Sequence, residues 1–291
     1  MDLIKRYTSK EGVRLSVAVT TDSIREAQQR HDTWPVVTTA LARTMTGALL
    51  LAGDFKNKET VSLRIQGNGP VGKVVADALG DNRIRGYVDH PHVDLPLTEQ
   101  GKMDVRGAVG NVGEVQVTRF TGMDQNYTST SPLVTGEIGD DLAYYLYTSE
   151  QVPSTISLGA IVNEDHFVEV AGGFLVQALP DATDESLEQV EYNIIALGGL
   201  SSYLKAHPNG EGLAEEILYG LDFHEVYEDK IAFGCTCSKE RFLNVLTTLS
   251  EEEKQDLAAQ EETELVCHYC NTKYHFTSEE LQEAWGGRVR K

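Results

Sequence analysis

Cys235–Cys237 (CTC) and Cys267–Cys270 (CHYC) contain all four cysteines of this 291-residue chain. The two close pairs are separated by 29 residues, and the 234 residues before the first pair contain none. A tetrahedral Zn²⁺ ion takes four soft ligands, and two short loops can each supply two of them. We therefore predict one Zn²⁺ per chain, bound by Cys235, Cys237, Cys267 and Cys270.

Other arrangements of these cysteines remain open at this point. The pairs could form structural disulfides, although thiols stay reduced in the cytosol. Cys267 and Cys270 could form a thioredoxin-type dithiol, but that motif begins a helix at its first cysteine, and Asn271 favours a turn. His268 or His275 could replace a thiolate, yet four cysteines already fill the shell, so we expect both histidines at the surface.

The charge balance restricts the partners. The chain has 25 basic and 45 acidic residues, a net charge of −20, and residues 235–291 contain seven Lys/Arg and eleven Asp/Glu. Such a chain repels nucleic acid and anionic membranes unless it has a basic patch. The N-terminus, Met1–Tyr7, lacks the apolar run of a signal peptide, and no apolar stretch approaches the roughly 18 residues of a membrane span. We therefore predict a cytoplasmic protein that binds neither nucleic acid nor membrane.

Three segments follow one another along the chain. Residues 1–180 mix strand and helix patterns, which predicts an α+β core domain with a mixed sheet. Residues 181–230 form a predicted helical linker, called the connector below. Residues 231–291 form a small zinc-binding domain, in which Ser250 and Glu253 have the spacing of a capping box.

The first segment has clear strand and helix patterns. Pro35–Ala52 is mostly small or apolar, with proline at its start and Gly53 after its end, which predicts a buried helix. Val61–Gln66 and Val71–Asp77 flank a GNGP turn and predict a hairpin. The other predicted elements of this segment are strands at 12–21, 114–120, 154–162 and 167–179 and a short helix at 140–148.

The connector contains an apolar stripe. Leu187, Val190, Ile194 and Leu197 recur at helical spacing, so they face one side of a predicted helix. We expect this stripe to pack against the core domain, because an exposed row of apolar side chains would be unfavourable in water.

The sequence contains no convincing enzyme motif. Gly67-x-Gly69-x-x-Gly72 matches the dinucleotide-binding pattern, but Pro70 lies inside it and no helix pattern follows, so a hairpin turn is favoured. The core segment contains no cysteine and no convincing Ser/His/Asp set. We therefore predict that the chain is not an enzyme.

The cysteine motifs and their neighbours resemble those of a known family. CTCSKER at 235–241 and the spacing CxYCxxxYxF at 267–276 are similar to the zinc centre of the bacterial thirty-three-kilodalton heat-shock chaperonin, a redox-regulated holdase. GNGP at 67–70, SEQVP at 149–153 and AGGFL at 171–175 follow in the order expected of that family, so the resemblance covers the whole chain. It implies a stress chaperone that is zinc-bound and inactive when reduced. On oxidation it implies zinc loss, neighbour disulfides Cys235–Cys237 and Cys267–Cys270, a homodimer, and binding of unfolding or oxidatively damaged client proteins without ATP.

Physical reasoning from the residues supports a redox switch. A domain of about sixty residues with few large apolar side chains needs a metal ion or a covalent cross-link to stay folded. Neighbour disulfides close very short loops and therefore restrain the unfolded chain little. Oxidation would remove the large folding free energy that zinc contributes and replace it with the small contribution of these disulfides. The connector would then lose its support, and Leu187, Val190, Ile194 and Leu197 become the candidate client-binding residues.

Two functions of other classes compete with this interpretation. A zinc-ribbon nucleic-acid binder would use the same ligands but should have a basic face, which the acidic composition argues against. A thiol–disulfide oxidoreductase would transfer electrons through Cys267 and Cys270, and an insulin-reduction assay would detect its turnover. The sequence does not specify the dimer interface or the oxidant.

Overall fold

The computed structural model describes residues 1–53, 59–121 and 126–286. The chain forms two compact units, Met1–Gly234 and Cys235–Lys291. The second is called the cysteine unit below. The predicted core segment, 1–180, and the connector, 181–230, both lie in the first unit. The predicted α+β class is confirmed, since strands and helices alternate irregularly along the chain.

Most of the chain is in regular structure. In chain order, the strands are β1 (Leu3–Ser9), β2 (Val13–Val19), β3 (Thr60–Gln66), β4 (Lys73–Leu79), β5 (Arg83–Val88), β6 (Glu114–Phe120), β7 (Asn126–Pro132), β8 (Ser154–Val162), β9 (Val168–Ala178), β10 (Phe223–Lys230), β11 (Ala232–Phe233), β12 (Glu262–Val266) and β13 (Lys273–Thr277). The α-helices are α1 (Thr21–His31), α2 (Pro35–Leu51), α3 (Val105–Val109), α4 (Gly139–Tyr145), α5 (Asp184–Ala196), α6 (Leu200–Ala206), α7 (Leu213–Ile217), α8 (Lys239–Leu246), α9 (Glu251–Ala258) and α10 (Ser278–Gly286). A π-helical turn, Leu146–Glu150, continues α4.

The first unit contains two sheets. Sheet A has the strand order β10-β1-β2-β9-β8, and all of its neighbours are antiparallel. Sheet B has the order β11-β5-β4-β3-β6-β7 and is antiparallel except for the parallel pair β11–β5. The single parallel pair makes sheet B mixed, as predicted.

Helix α2 lies in the main core and confirms the buried helix predicted at Pro35–Ala52. Fifteen of its seventeen residues are buried, and Pro35 occupies the first turn, where a missing N–H costs nothing. The helix contacts strands of both sheets, β2, β8 and β9 of sheet A and β3, β4 and β5 of sheet B. A helix whose residues are mostly small or apolar is stable in such a buried position.

The GNGP turn is the hairpin predicted from the sequence. It joins β3 to β4, which pair in register from Thr60 with Leu79 to Gln66 with Lys73. A Cβ atom on Gly69 would lie 2.3 Å from the carbonyl oxygen of Ala108, so only glycine fits there. Lys73 begins a strand and no helix follows, which rules out the dinucleotide-binding alternative at this turn.

The connector packs on the outer face of sheet A and forms a second core. Its buried and half-buried side chains include the predicted stripe, Leu187, Val190, Ile194 and Leu197, which lies with Val13, Leu15 and Phe174 of the sheet among others. Thr183 caps the N-terminus of α5, because its hydroxyl accepts a hydrogen bond from the Ser186 amide.

Asn193 fixes the position of α5. This side chain is buried, and its amide nitrogen donates hydrogen bonds to the carbonyl oxygens of Ile217 and Tyr219, at 3.0 and 2.9 Å. Only Ser186, Val190 and Asn193 of the thirteen residues of α5 are buried. Helix α5 is therefore held less firmly on the sheet than α2 is held in the main core.

The end of the connector differs from the predicted helical linker. Residues Phe223–Lys230 form strand β10 rather than a helix, and they pair with β1 along its whole length. Aromatic residues at 223 and 227 and valine at 226 favour an extended backbone. The edge of β1 that does not pair with β2 supplies the hydrogen-bond partners of this strand.

The cysteine unit has a small core of its own. Helices α8 to α10 and the hairpin β12–β13 bury Leu246, Phe276 and Leu281 together with Cys267 and Cys270. The predicted capping box is present at the start of α9 and is confirmed. Ser250 Oγ accepts from the Glu253 amide, and the Glu253 carboxylate accepts from the Ser250 amide.

Candidate metal centre

Cys235 and Cys237 lie on the extended segment that leads into α8. Ser238 caps this helix, because its hydroxyl accepts a hydrogen bond from the Arg241 amide. The Arg241 guanidinium donates to the carbonyl oxygen of Thr236 at 2.8 Å. The peptide between the two cysteines is therefore held against the first turn of the helix.

Cys267 and Cys270 lie on the turn between β12 and β13. The amides of Cys270 and Asn271 donate to the carbonyl oxygen of Cys267, and the Cys267 amide donates to that of Thr272. Asn271 has a φ of 54°, a left-handed conformation that asparagine tolerates better than most residues. The turn predicted at Asn271 is present, and it lacks the helix that a thioredoxin-type dithiol requires.

The four sulfur atoms meet at one point of the cysteine unit. The Sγ atoms of Cys235 and Cys267 are 3.7 Å apart, and those of Cys237 and Cys270 are 3.3 Å apart. All four Sγ atoms lie within 4.8 Å of one another. Tetrahedral zinc with Zn–S bonds of about 2.3 Å would place its sulfur ligands roughly 3.8 Å apart. The described residues therefore fit a four-sulfur zinc site.

Burial favours the neutral form of these thiols when no cation is bound. It raises the pKa of the Cys267 thiol to about 12, and it also raises the pKa of Cys237. A thiol with a raised pKa keeps its proton at neutral pH, so a metal must displace that proton to bind. Metal affinity is therefore expected to fall as the pH falls.

Two hydroxyl groups next to the sulfur atoms were not identified from the sequence. The Oη atom of Tyr274 is 3.2 Å from Cys237 Sγ, and the Oγ1 atom of Thr272 is 3.2 Å from Cys270 Sγ. The hydrogen bond with Cys237 is the main cause of the raised pKa of Tyr274. The Thr272 hydroxyl accepts from the Cys270 thiol. A hydroxyl that donates to a metal-bound thiolate orients it and stabilises its charge, a role that the Tyr274 hydroxyl can fill at Cys237. In the sequence, Thr272 and Tyr274 could have been recognised as hydroxyl-bearing residues within four positions of Cys270.

The two candidate histidines lie outside the sulfur cluster. His268 is exposed. His275 is half exposed, and its ring nitrogens are 3.4 and 3.5 Å from carboxylate oxygens of Glu262 and Glu264. Their predicted surface positions are confirmed.

The predicted client-binding residues lie in the first unit. Val190 is buried at 3 % exposure, and Leu187, Ile194 and Leu197 are half-buried around it. The expected packing of this stripe is present, and its client-binding role stays a prediction. Among the residues that the structure describes, no helix has the length and apolarity to cross a membrane.

Zinc X-ray absorption of the reduced protein should fit four sulfur atoms at about 2.3 Å, with one zinc ion per chain. The reason is the convergence of four Sγ atoms within 4.8 Å. Oxygen or nitrogen in the first coordination shell would contradict a closed four-sulfur site.

Replacing Tyr274 with phenylalanine should lower zinc affinity about tenfold, because it removes a hydrogen bond to a metal-binding sulfur atom. Competition with a chromogenic chelator at neutral pH measures the change. Tyr219→Phe is the control, since Tyr219 is 72 % exposed and lies in the first unit. Equal zinc affinities for the two variants would show that the Tyr274 hydroxyl does not support the site.

Comparisons with known proteins give a consistent result. The sequence matches the family model described as Hsp33 protein over residues 2–277. A 33 kDa chaperonin of Listeria monocytogenes serotype 4a (strain HCC23) is 41 % identical over 286 residues, which cover 97 % of each chain. A 33 kDa chaperonin of Staphylococcus haemolyticus (strain JCSC1435) is 40 % identical over 97 % of this chain and 96 % of its own.

A solved structure is also similar. The crystal structure of the 33 kDa chaperonin (heat shock protein 33 homologue) from Thermotoga maritima has a TM-score of 0.91 and 37 % sequence identity. The match covers 100 % of this chain and 99 % of that chain.

Proposed function

Since the chain belongs to the Hsp33 family of chaperones, we propose that it is a redox-regulated, ATP-independent holdase. Members of this family are chaperones rather than enzymes, so the expected partners are unfolded client proteins. We further propose that it works in the cytoplasm, binds neither nucleic acid nor membrane, and is a homodimer when active. The observation that carries the redox proposal is the convergence of four Sγ atoms in a unit with a very small core.

The proposed resting state is the reduced chain with Cys235, Cys237, Cys267 and Cys270 as thiolate ligands. When bound, zinc would hold the two cysteine segments together and supply roughly 10–16 kcal/mol of folding free energy, as in comparable peptides. Leu246, Phe276 and Leu281 are the only apolar side chains, apart from the cysteines, that the described residues of this unit bury fully. This core alone is too small to keep fifty-seven residues folded.

Oxidation would remove this support. Each pair of thiolates loses two electrons to an oxidant such as hydrogen peroxide, which takes up two protons from solvent and becomes two water molecules. A sulfur–sulfur bond forms within the pair, which then no longer binds a metal. Cys235–Cys237 and Cys267–Cys270 bonds close loops too short to restrain the unfolded chain much. The cysteine unit is then expected to unfold.

The connector is the proposed client-binding element. It is joined to the cysteine unit through β10 and β11, so unfolding of that unit frees the chain end that follows the connector. With only Ser186, Val190 and Asn193 buried, α5 is weakly held. Its release would expose the apolar stripe and the sheet surface beneath it to unfolding clients.

The direct test is zinc content together with suppression of light scattering by an aggregating, cysteine-free client. We expect one zinc ion and little suppression before peroxide treatment, and zinc release with strong suppression afterwards. If the reduced and the peroxide-treated protein suppressed client aggregation equally, the protein would be a chaperone without redox regulation.

The Cys267–Cys270 disulfide should form before the Cys235–Cys237 disulfide. A two-residue spacer reaches disulfide geometry with less strain than a one-residue spacer. Mass mapping after brief oxidation distinguishes these bonds from cross-links between the pairs, whose sulfur atoms are 3.7 and 3.3 Å apart in the folded unit. Early appearance of mainly the Cys235–Cys237 bond would overturn this order.

A further inference from the structure

Helix α5 has a second apolar surface that faces solvent. Tyr192 is 70 % exposed and Ile195 is 72 % exposed, whereas the packed stripe is buried or half-buried. Tyr219 is 72 % exposed and lies nearby, since its carbonyl oxygen accepts the hydrogen bond from Asn193 of α5. Three large apolar side chains of the connector are therefore accessible before any rearrangement.

Carboxylates surround this exposed surface. Glu188 and Glu191 precede Tyr192 and Ile195 by four residues, so each glutamate lies one turn along the helix from an exposed apolar side chain. Neither glutamate has a basic partner within 4 Å among the residues that the structure describes. The connector as a whole contains twelve Asp/Glu and two Lys. An apolar side chain of a binding partner that contacts this helix face would therefore also bring the partner close to the carboxylates of Glu188 and Glu191.

We propose that this face of α5 binds unfolded segments in which lysine or arginine flanks aromatic or aliphatic side chains. The inference rests on the proposed holdase function and adds the class of client. Apolar client side chains would pack on Tyr192 and Ile195, and client cations would pair with Glu188 and Glu191. Release of the connector would add the inner stripe to the same surface.

Charge complementarity decides between the possible occupants. A second copy of the connector would bring the same carboxylates against Glu188 and Glu191, which is unfavourable. An acidic client would meet both these carboxylates and a chain of net charge −20. A cationic unfolded client is attracted both by Glu188 and Glu191 and by the net negative charge of the chain.

The test uses the oxidised full-length protein and two fluorescein-labelled, cysteine-free peptides. Both peptides contain the same Phe- and Leu-rich segment, flanked by lysines in one and by glutamates in the other. Fluorescence anisotropy at low salt should give about tenfold tighter binding of the lysine-flanked peptide, the effect of two exposed ion pairs. The preference should shrink as salt is raised.

Matched variants separate this surface from the overall charge. Glu188→Lys with Glu191→Lys should abolish the preference for the lysine-flanked peptide. Glu99→Lys with Glu164→Lys changes the net charge equally at exposed sites elsewhere and should keep the preference. Equal loss in both double variants would show that total charge, and not this surface, selects the client, and would overturn the proposal.

Three further results would also overturn it. If Tyr192→Ala with Ile195→Ala abolishes self-association but leaves peptide affinity unchanged, the face is an interface between two copies. If the oxidised protein binds both peptides equally at all salt concentrations, the holdase proposal survives and the charge selection fails. If it binds neither peptide, the holdase proposal itself fails and this inference fails with it.

Discussion

Replacing Cys270 with serine is expected to unfold the cysteine unit and to make the reduced protein an active chaperone without oxidant. Cys270 is 3 % exposed, and its sulfur lies 3.3 Å from that of Cys237. Serine is a poor zinc ligand, so the variant would lose a contribution of roughly 10 kcal/mol or more. That loss is comparable with the whole stability of a small domain. Tryptophan fluorescence of Trp285 and suppression of client light scattering measure the two effects.

A control in the same unit separates loss of the metal site from ordinary destabilisation. Ser250→Ala removes the capping box of α9 and should cost only about 1 kcal/mol, so the unit should keep its zinc and its fold. We expect this variant to remain inactive when reduced. An unfolded Cys270→Ser variant that does not suppress aggregation would separate unfolding of the unit from activation.

Replacing Val190 with aspartate is expected to give partial activity in the reduced protein while zinc stays bound. Val190 is the most buried member of the apolar stripe, and an unpaired carboxylate buried at this position costs several kcal/mol. The connector would leave sheet A without any change at the cysteines. Leu187→Asp combined with Ile194→Asp should act in the same direction, since both side chains are half-buried beside Val190.

The matched control lies on the same helix. Ala196 is exposed, so Ala196→Asp introduces the same carboxylate on the solvent side and should leave the connector docked and the reduced protein inactive. Zinc content and client light scattering are measured for both variants. If Val190→Asp exposes the connector by amide exchange but remains inactive, the client site lies elsewhere.

Local signals in the sequence predicted the parts of the structure that depend on neighbouring residues. Two close cysteine pairs, one with the two-residue spacer of a zinc knuckle and one with a one-residue spacer, were sufficient to predict the convergence of four sulfur atoms. The Ser250–Glu253 capping box and the GNGP hairpin follow from turn and cap chemistry that acts over a few residues. Helix α2 was predicted because its residues are mostly small or apolar, with proline at its start and Gly53 after its end.

Pairing between distant segments could not be predicted in this way. Strand β10 pairs with β1 across more than two hundred residues, and nothing in either segment specifies the other as its partner. The same holds for the division of the strands into two sheets. Tyr274 and Asn193 gain their roles from tertiary contacts, so the sequence identifies their chemistry but not their partners.

The measurement that most directly tests the redox switch is amide hydrogen exchange on the reduced and the peroxide-treated protein, with chaperone activity recorded on the same samples. We predict that exchange rises strongly on oxidation across 184–217 and 235–286, while the strands within 1–175 stay protected and activity appears. Activity that appears while residues 184–217 remain as protected as in the reduced protein would contradict release of the connector as the switch.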